Sequence, residues 1–203
     1  NGDTADDADL YITFTDGTLD TAAIPTVAYT QGTLADLQAN LLASFGPTAS
    51  TDKAAPVVLS LETADLNTDG FLDAAHITFN EPVSDATVIA TDFDVAGATG
   101  ESFSSTTAGD TADDADLYIT FTDGTLDTAA TPTVQYTAGT LADLQANLLG
   151  SYGPTASTDG ASPIVLTMET ADLNADGFLD AVFISFSEPV SDATVTATDF
   201  DVA

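Results

Sequence analysis

Between residues 54 and 160, apolar and polar side chains alternate in short runs separated by Asp, Gly, Pro, Ser and Thr. Over 57–62, Val57, Leu59 and Leu61 share one face of a strand, and Val58, Ser60 and Glu62 share the other. Over 74–80, Ala75, Ile77 and Phe79 point inward and His76, Thr78 and Asn80 outward, and Glu81-Pro82-Val83 ends the run. Residues 88–95 read as extended, with Val88, Phe93 and Val95 inward, and the Ser/Thr-rich stretch 101–106 reads as a short edge strand. Leu117, Ile119 and Phe121 form the next inward face, and Asp123-Gly124 turns the chain. Val134 and Tyr136 face inward over 133–137, residues 141–147 read as one helical turn, and 148–152 reads as the last strand. Short strands at this spacing, with turn signals between them, predict an all-β sandwich.

The pattern repeats. Gly2-Asp3-Thr4-Ala5-Asp6-Asp7-Ala8-Asp9-Leu10 returns as Gly109-Asp110-Thr111-Ala112-Asp113-Asp114-Ala115-Asp116-Leu117, and the 107-residue offset holds without a gap to the last residue. Roughly four-fifths of the paired positions are identical, which marks a tandem repeat. Val57/Ile164 and Phe45/Tyr152 keep an apolar body, as core positions do. Ala28/Gln135, Lys53/Gly160 and Asn80/Ser187 change freely, as surface positions do. The stretches 50–56 and 157–163 read as linkers. Residues 1–53 are then the back part of one repeat, 54–160 a complete repeat, and 161–203 the front part of the next. Each partial repeat carries an apolar strand face, Leu10, Ile12 and Phe14 in one and Val182, Ile184 and Phe186 in the other. Neither buries that face alone, so the expected partner is a copy of the same sequence, head to tail, with Phe186 against Ile12 or Phe14 of the neighbour. Separate subunits and one longer polypeptide both satisfy this expectation, and the second needs no association step.

Between the first two strands of the complete repeat lies Asp65-Leu66-Asn67-Thr68-Asp69-Gly70-Phe71-Leu72-Asp73, which returns as Asp172-Leu173-Asn174-Ala175-Asp176-Gly177-Phe178-Leu179-Asp180. Oxygen ligands at the first, third and fifth positions followed by a glycine are the order of an EF-hand-type calcium loop. The seventh position, Phe71 or Phe178, supplies a backbone carbonyl, and the ninth is a carboxylate, Asp73 or Asp180. The twelfth-position Glu of an EF-hand is absent, since His76 and Phe183 stand there, so the loop is a shortened form. Asp, Asn and Gly also build ordinary turns, but the full ligand order appears twice. The expected metal sites are Asp65, Asn67, Asp69, Phe71 and Asp73, and Asp172, Asn174, Asp176, Phe178 and Asp180, each holding Ca2+. The acidic run Asp110, Asp113, Asp114 and Asp116 has two readings, a solvated loop or a further calcium site. In a seven-strand sandwich, the calcium loop falls at the pole that also carries Asp123, Asp127 and Asp159, near the junction between repeats.

Charge narrows the partners. The chain of 203 residues has 33 acidic side chains, one lysine and one histidine, for a net charge of -32. That surface repels nucleic acid, whose phosphates need Lys and Arg, and disfavours anionic membranes. It suits divalent cations, high salt or both. With 44% hydrophobic residues the chain has enough apolar content for a core. No apolar run is long enough to cross a membrane. Cysteine is absent, so thiol chemistry does not enter. His76 is the single imidazole and is Phe183 in the other copy, which argues against an enzyme, since a general base would be expected in both. Calcium loops of this kind fill at millimolar concentrations, which predicts an extracellular location.

Phe186-Ser187-Glu188-Pro189-Val190, with Phe79-Asn80-Glu81-Pro82-Val83 as its weaker copy, resembles the F-S-E-P-V signature of bacterial and archaeal Ig-like surface repeats of the SwmB type. Residues 133–137 followed by Leu141-Ala142-Asp143-Leu144-Gln145-Ala146-Asn147 resemble that family's closing pattern of a strand and D-L-x-G-N, with Ala146 in place of the usual glycine. The resemblance implies modules of long surface proteins, adhesins and cell-envelope layers. The combined expectation is a calcium-binding structural segment of an extracellular fibre, envelope layer or adhesin stalk. The alternative is an adhesin module that recognises a surface or glycan. Near-identical repeats suit a spacer, whereas a recognition module usually differs from its neighbours.

Overall fold

The computed structural model describes residues 4–15 and 17–202. Gly2 and Asp3, at the start of the repeated sequence, lie outside the described residues. The chain is all-β and divides into two compact units, one ending at Ala55 and the other beginning at Pro56.

The first unit contains one antiparallel hairpin, β1 (Thr26–Tyr29) and β2 (Phe45–Ala49), with Thr26 opposite Ala49 and Tyr29 opposite Phe45. The Tyr29 and Phe45 rings stack 6.0 Å apart. A bridge between Ala35 and Leu41 closes the turn between them. Residues 4–15, where Leu10, Ile12 and Phe14 predict a strand, form none, and all three side chains are exposed.

The second unit carries nearly all of the stretch expected to form a complete repeat, 54–160, together with residues 161–202. β3 (Val58–Ala64), β4 (Ala74–Phe79) and β6 (Asp116–Thr120) make one antiparallel sheet in the order β3-β4-β6. β5 (Phe93–Val95), β7 (Thr133–Tyr136) and β8 (Tyr152–Ala156) make another in the order β5-β7-β8. Leu61, Ile77, Phe79, Leu117 and Ile119 from the first sheet share a single buried cluster with Phe93, Val95, Val134 and Tyr136 from the second. The arrangement is sandwich-like, two small sheets turning their apolar alternate residues toward each other. Burying one such side chain stabilises the fold by about 1.5–3 kcal/mol.

Several local expectations are corrected. In β3 the register slips between Val58 and Ser60. The extra residue reverses the alternation, so Val58 packs on the core while Val57 and Leu59 are exposed. Over 88–95, Val88 and Ile89 are extended and Phe93–Val95 forms β5, but a 3-10 turn, Ala90–Asp92, stands between them, and another, Asp85–Thr87, precedes them. The 101–106 stretch contributes only a bridge, Ser102 to Thr120. Residues 141–147 are no helical turn: Ala142 bridges Leu148, and Asp143 organises the loop by accepting hydrogen bonds from the Gln145 and Asn147 N–H groups, both at 2.8 Å. The last strand runs over 152–156 instead of 148–152. Ala146 takes a left-handed conformation (φ +67°) that a glycine would adopt freely.

The stretch after β8 is more than a linker. Thr158 pairs in parallel with Glu62 on the outer edge of β3, exchanging bonds with Leu61 O (2.8 Å) and Thr63 N–H (2.9 Å). Gly160 is required there. A Cβ on it would stand 2.6 Å from the Thr63 carbonyl oxygen, so the Lys53/Gly160 exchange is not a free surface change. The unit ends with the hairpin β9 (Val165–Ala171) and β10 (Ala181–Phe186), antiparallel, with Ile184 opposite Met168. Among the described residues, no helix is long and apolar enough to cross a membrane.

Candidate metal centre

The loop between β3 and β4 is built by its own polar side chains. Asp65 Oδ1 accepts the Thr68 N–H at 2.7 Å and the Asp69 N–H at 3.3 Å, while Oδ2 accepts the Gly70 N–H at 2.9 Å. Asn67 Oδ1 accepts the Asp69 N–H (2.9 Å), and Asp69 Oδ1 accepts the Phe71 N–H (3.0 Å). Asp73 Oδ1 reaches back to the Leu66 N–H (2.8 Å) and closes the ring. Thr68 and Gly70 both have positive φ, +60° and +96°, which bends the chain round the carboxylates.

The neighbouring turn joins the loop as expected. Asn67 Nδ2 donates to Asp69 Oδ2 and to Asp123 Oδ2, each at 3.2 Å. Phe71 bridges Asp127, and the Leu72 N–H donates to Leu126 O at 2.8 Å. Burial raises the Asp73 pKa, and the charges of Asp65 and Asp123 add to the rise against the hydrogen bond from Leu66. Acidic groups therefore crowd a small volume with little to neutralise them. Oxygen donors of this kind suit a hard cation, and calcium tolerates their irregular arrangement better than magnesium.

The second loop repeats the geometry. Asp172 accepts from Asp176 N–H (3.3 Å) and Gly177 N–H (2.9 Å), Asn174 from Asp176 N–H (2.8 Å), Asp176 from Phe178 N–H (3.0 Å), and Asp180 from Leu173 N–H (2.8 Å). What differs is the surrounding. Leu166 and Ser187 lie against Gly70, and the Ser187 hydroxyl meets that of buried Thr128 at 2.7 Å. Nothing lies against Gly177. In the first loop Gly70 is thus buried beneath the stretch that follows, while Asn67, Thr68, Asp69 and Phe71 stay exposed, and in the second loop Gly177 is exposed as well.

Other acidic residues separate by role. Asp159 Oδ1 accepts the Ala161 N–H at 3.2 Å and orders the chain leaving Gly160. Asp116, read from sequence as part of one acidic run, instead accepts from His76 Nε2 (2.8 Å) and Thr78 Oγ1 (2.9 Å). His76 also lies flat on Tyr118, its cross-strand neighbour, with ring centroids 4.4 Å apart. Glu81 and Asp143 are buried carboxylates. Asp85 went unnoticed in the sequence because it stands alone, 25 positions before Asp110. Its one signal is that the Pro-Val-Ser-Asp order recurs at Asp192.

Comparison with protein-family models, with curated proteins and with solved structures gave no match.

Proposed function

We propose that this chain is a calcium-binding structural segment of an extracellular fibre, envelope layer or adhesin stalk, built from tandem Ig-like repeats of the SwmB type that meet head to tail. The observation that carries this reading is one sequence in two environments. Leu117 and Ile119 are fully buried on β6, whereas their counterparts Leu10 and Ile12 are 59% and 72% exposed. On the other side, Met168, Val182, Ile184, Phe186, Val195 and Phe200 line an open apolar groove. Their counterparts, Leu61, Ala75, Ile77, Phe79, Val88 and Phe93, pack in one core with Leu117 and Ile119 of β6, the strand whose copy is residues 9–13.

The complete repeat supplies a template for the missing contact. Ala75 stands opposite Ile119 and Ile77 opposite Leu117. Shifted by one repeat, Val182 stands opposite Ile12, and Ile184 opposite Leu10, of a neighbouring copy. Calcium in the loops offsets the crowded carboxylates, which accords with the net charge of -32. Filling loops of this kind needs the calcium level found outside cells. His76 serves a cross-strand stack and has no imidazole counterpart, so the role is structural and not enzymatic.

A register test decides the assembly. Phe79 N–H bonds Ala115 O, and Phe121 N–H bonds Asp73 O, so His76 and Tyr118 between them form a non-hydrogen-bonded pair, the closest kind. Their counterparts are Phe183 and Tyr11. The chain has no cysteine of its own. Chains carrying Tyr11→Cys alone, mixed with tagged chains carrying Phe183→Cys alone, are expected to form a mixed disulfide dimer on oxidation. Ile12→Cys mixed with Phe183→Cys should form far less. A mixed dimer no more abundant than the random homodimers would overturn the reading.

A further inference from the structure

The chain leaving β4 is fastened outside the two sheets. Val83, fully buried, donates its N–H to Asp114 O at 2.8 Å and bridges Asp143. The next two N–H groups follow it, Ser84 to Ala142 O at 2.8 Å and Asp85 to Asp113 Oδ1 at 3.1 Å. Val83-Ser84 is thus a plug held between two walls, one from residues 111–117 and the other from 141–144. In the first unit both walls recur as residues 4–10 and 34–37, and an open cleft lies between them.

The walls of that cleft already have the shape of the filled version. Asp9 N–H donates to Asp7 Oδ1 at 2.9 Å, as Asp116 N–H does to Asp114 Oδ1 at 2.8 Å. Asp6 and Asp113 share a left-handed φ, +60° and +58°. Leu42 N–H donates to Leu34 O at 2.9 Å, as Leu149 N–H does to Leu141 O at 2.8 Å. The plug recurs too. Val190-Ser191 repeats Val83-Ser84, and the 3-10 turn behind it, Asp192–Thr194, repeats Asp85–Thr87. Thr194 Oγ1 donates to Ser191 O at 2.7 Å, as Thr87 Oγ1 does to Ser84 O at 2.6 Å. Yet Val190, Ser191 and Asp192 are all exposed.

We infer that the cleft between residues 4–10 and 34–37 is a preformed socket for Val190-Ser191 of a second copy of this chain. The inference rests on the head-to-tail reading and adds to it a contact outside the paired strands. Both surfaces adjoin that junction: Asp9 and Leu10 line the cleft, and Val190 lines the apolar groove with Val182 and Ile184. Shifted by one repeat, the Val190 N–H donates to Asp7 O, the Ser191 N–H to Ala35 O and the Asp192 N–H to Asp6 Oδ1 of the neighbour. Plug and socket join without reshaping, so little ordering entropy is lost there. Residues 9–13 form no strand in the chain and must still become one. The socket is thus the part of the junction that can recognise its partner before the strands pair.

The test uses full chains trapped as the mixed dimer of Tyr11→Cys and Phe183→Cys, with the Phe183→Cys chain isotope-labelled, and reads amide exchange by NMR. Its Val190 and Ser191 N–H groups are expected to exchange about tenfold slower than in the free chain, the protection of an ordinary hydrogen bond. Adding Ala35→Trp to the Tyr11→Cys chain should return both amides to the free rate and leave the disulfide in place. Ala35 lines the cleft and its counterpart Ala142 is buried, so an indole there blocks the plug. The Leu42 N–H, bonded to Leu34 O, should keep its exchange rate in that variant, since the turn behind the cleft is untouched. A dimer that forms while Val190 and Ser191 exchange as in the free chain would overturn the socket and leave the strand junction standing. Protection that survives Ala35→Trp would place the shield elsewhere, and the inference would fail. If no mixed dimer forms, the head-to-tail reading and the socket fall together.

Discussion

Residues 111–122 and 4–15 carry the same sequence and have opposite fates. In the complete repeat, residues 116–120 are a strand with Leu117 and Ile119 sealed in the core. In the first unit, the same Leu and Ile lie on chain that joins no strand and face solvent. The D-L-Q-A-N turn behaves otherwise. Asp143 accepts from Gln145 and Asn147 N–H groups, and Asp36 accepts from Gln38 (3.0 Å) and Asn40 (2.8 Å) in the same way, although Asp143 is buried and Asp36 exposed. Elements closed by hydrogen bonds over a few residues form wherever their sequence occurs. Strands form where a partner edge awaits them, as β1 meets β2 and β9 meets β10 although both hairpins are largely exposed, and residues 9–13 join no such edge.

The sharpest way to break this contrast is to delete the same side chain in both places. Ile119→Ala should cost about 2–5 kcal/mol in denaturant unfolding, as large-to-small core changes do. Ile12→Ala in the same dilute chain should stay within about 0.5 kcal/mol, the range of surface changes. If assembly covers Ile12, the two costs should converge in the polymer, read as its denaturant midpoint. Equal costs in the dilute chain would mean that residues 9–13 are already buried there.

Calcium removal should come next in size. With calcium at about 100 times the dissociation constant, ligand linkage contributes about 2.7 kcal/mol. Chelation should therefore lower the melting temperature of the second unit by several degrees, and Asp69→Ala should reproduce part of the fall. Molar sodium chloride should not substitute for calcium. If it does, screening of the acidic surface is the better account.

Exchanging the residues at the 53/160 position tests the edge pairing on β3. Gly160→Lys forces a side chain against the Thr63 carbonyl and should cost about 1–3 kcal/mol, the usual range for overpacking. It should also speed amide exchange at Thr63, whose N–H donates to Thr158 O. Lys53→Gly in the first unit should change thermal stability by less than about 0.5 kcal/mol.

The smallest effect should come from the turn that is alike in both copies. Ala39 and Ala146 both sit at φ +67°. A left-handed alanine costs about 1–2 kcal/mol, and glycine's greater chain entropy takes back about 0.5–1 kcal/mol. Ala146→Gly should thus raise stability by up to about 1 kcal/mol in thermal melts. Ala39→Gly should give a gain of the same sign in native-state exchange of its own turn. Opposite signs would show that burial, and not local conformation, sets these turns.

The same division explains what could be read from the chain alone. The faces of β4, β6 and β7 follow from their alternation, because Ile77, Leu117 and Val134 all turn into the core and the slip in the β7–β8 pairing puts its extra residue on β8, between Tyr152 and Thr155. The meeting of the Asp65–Asp73 loop with Asp123 and Asp127 follows from topology. β3 was half misread, since a bulge at Leu59 leaves no mark in a two-residue period. The 3-10 turn over 90–92 has no signature of its own, because the extended Val88, Phe93 and Val95 on either side of it carry the apolar spacing. Asp85 was missed for a different reason. Its neighbours in space come from a segment 25 residues on, and nothing short-range announces that meeting.

The covering of Gly70 has a mechanical meaning. Its loop is bridged to Asp127 on one side and overlain by Leu166 and Ser187 of the following repeat on the other. Any bend between those repeats must deform the loop. Asp65, Asp69 and Asp73 in the loop and Asp123 beside it repel one another, so without a cation the joint would be soft. Calcium bound there, as proposed, would make it a strut, and the bending stiffness of a string of such repeats would then follow the calcium activity of its surroundings.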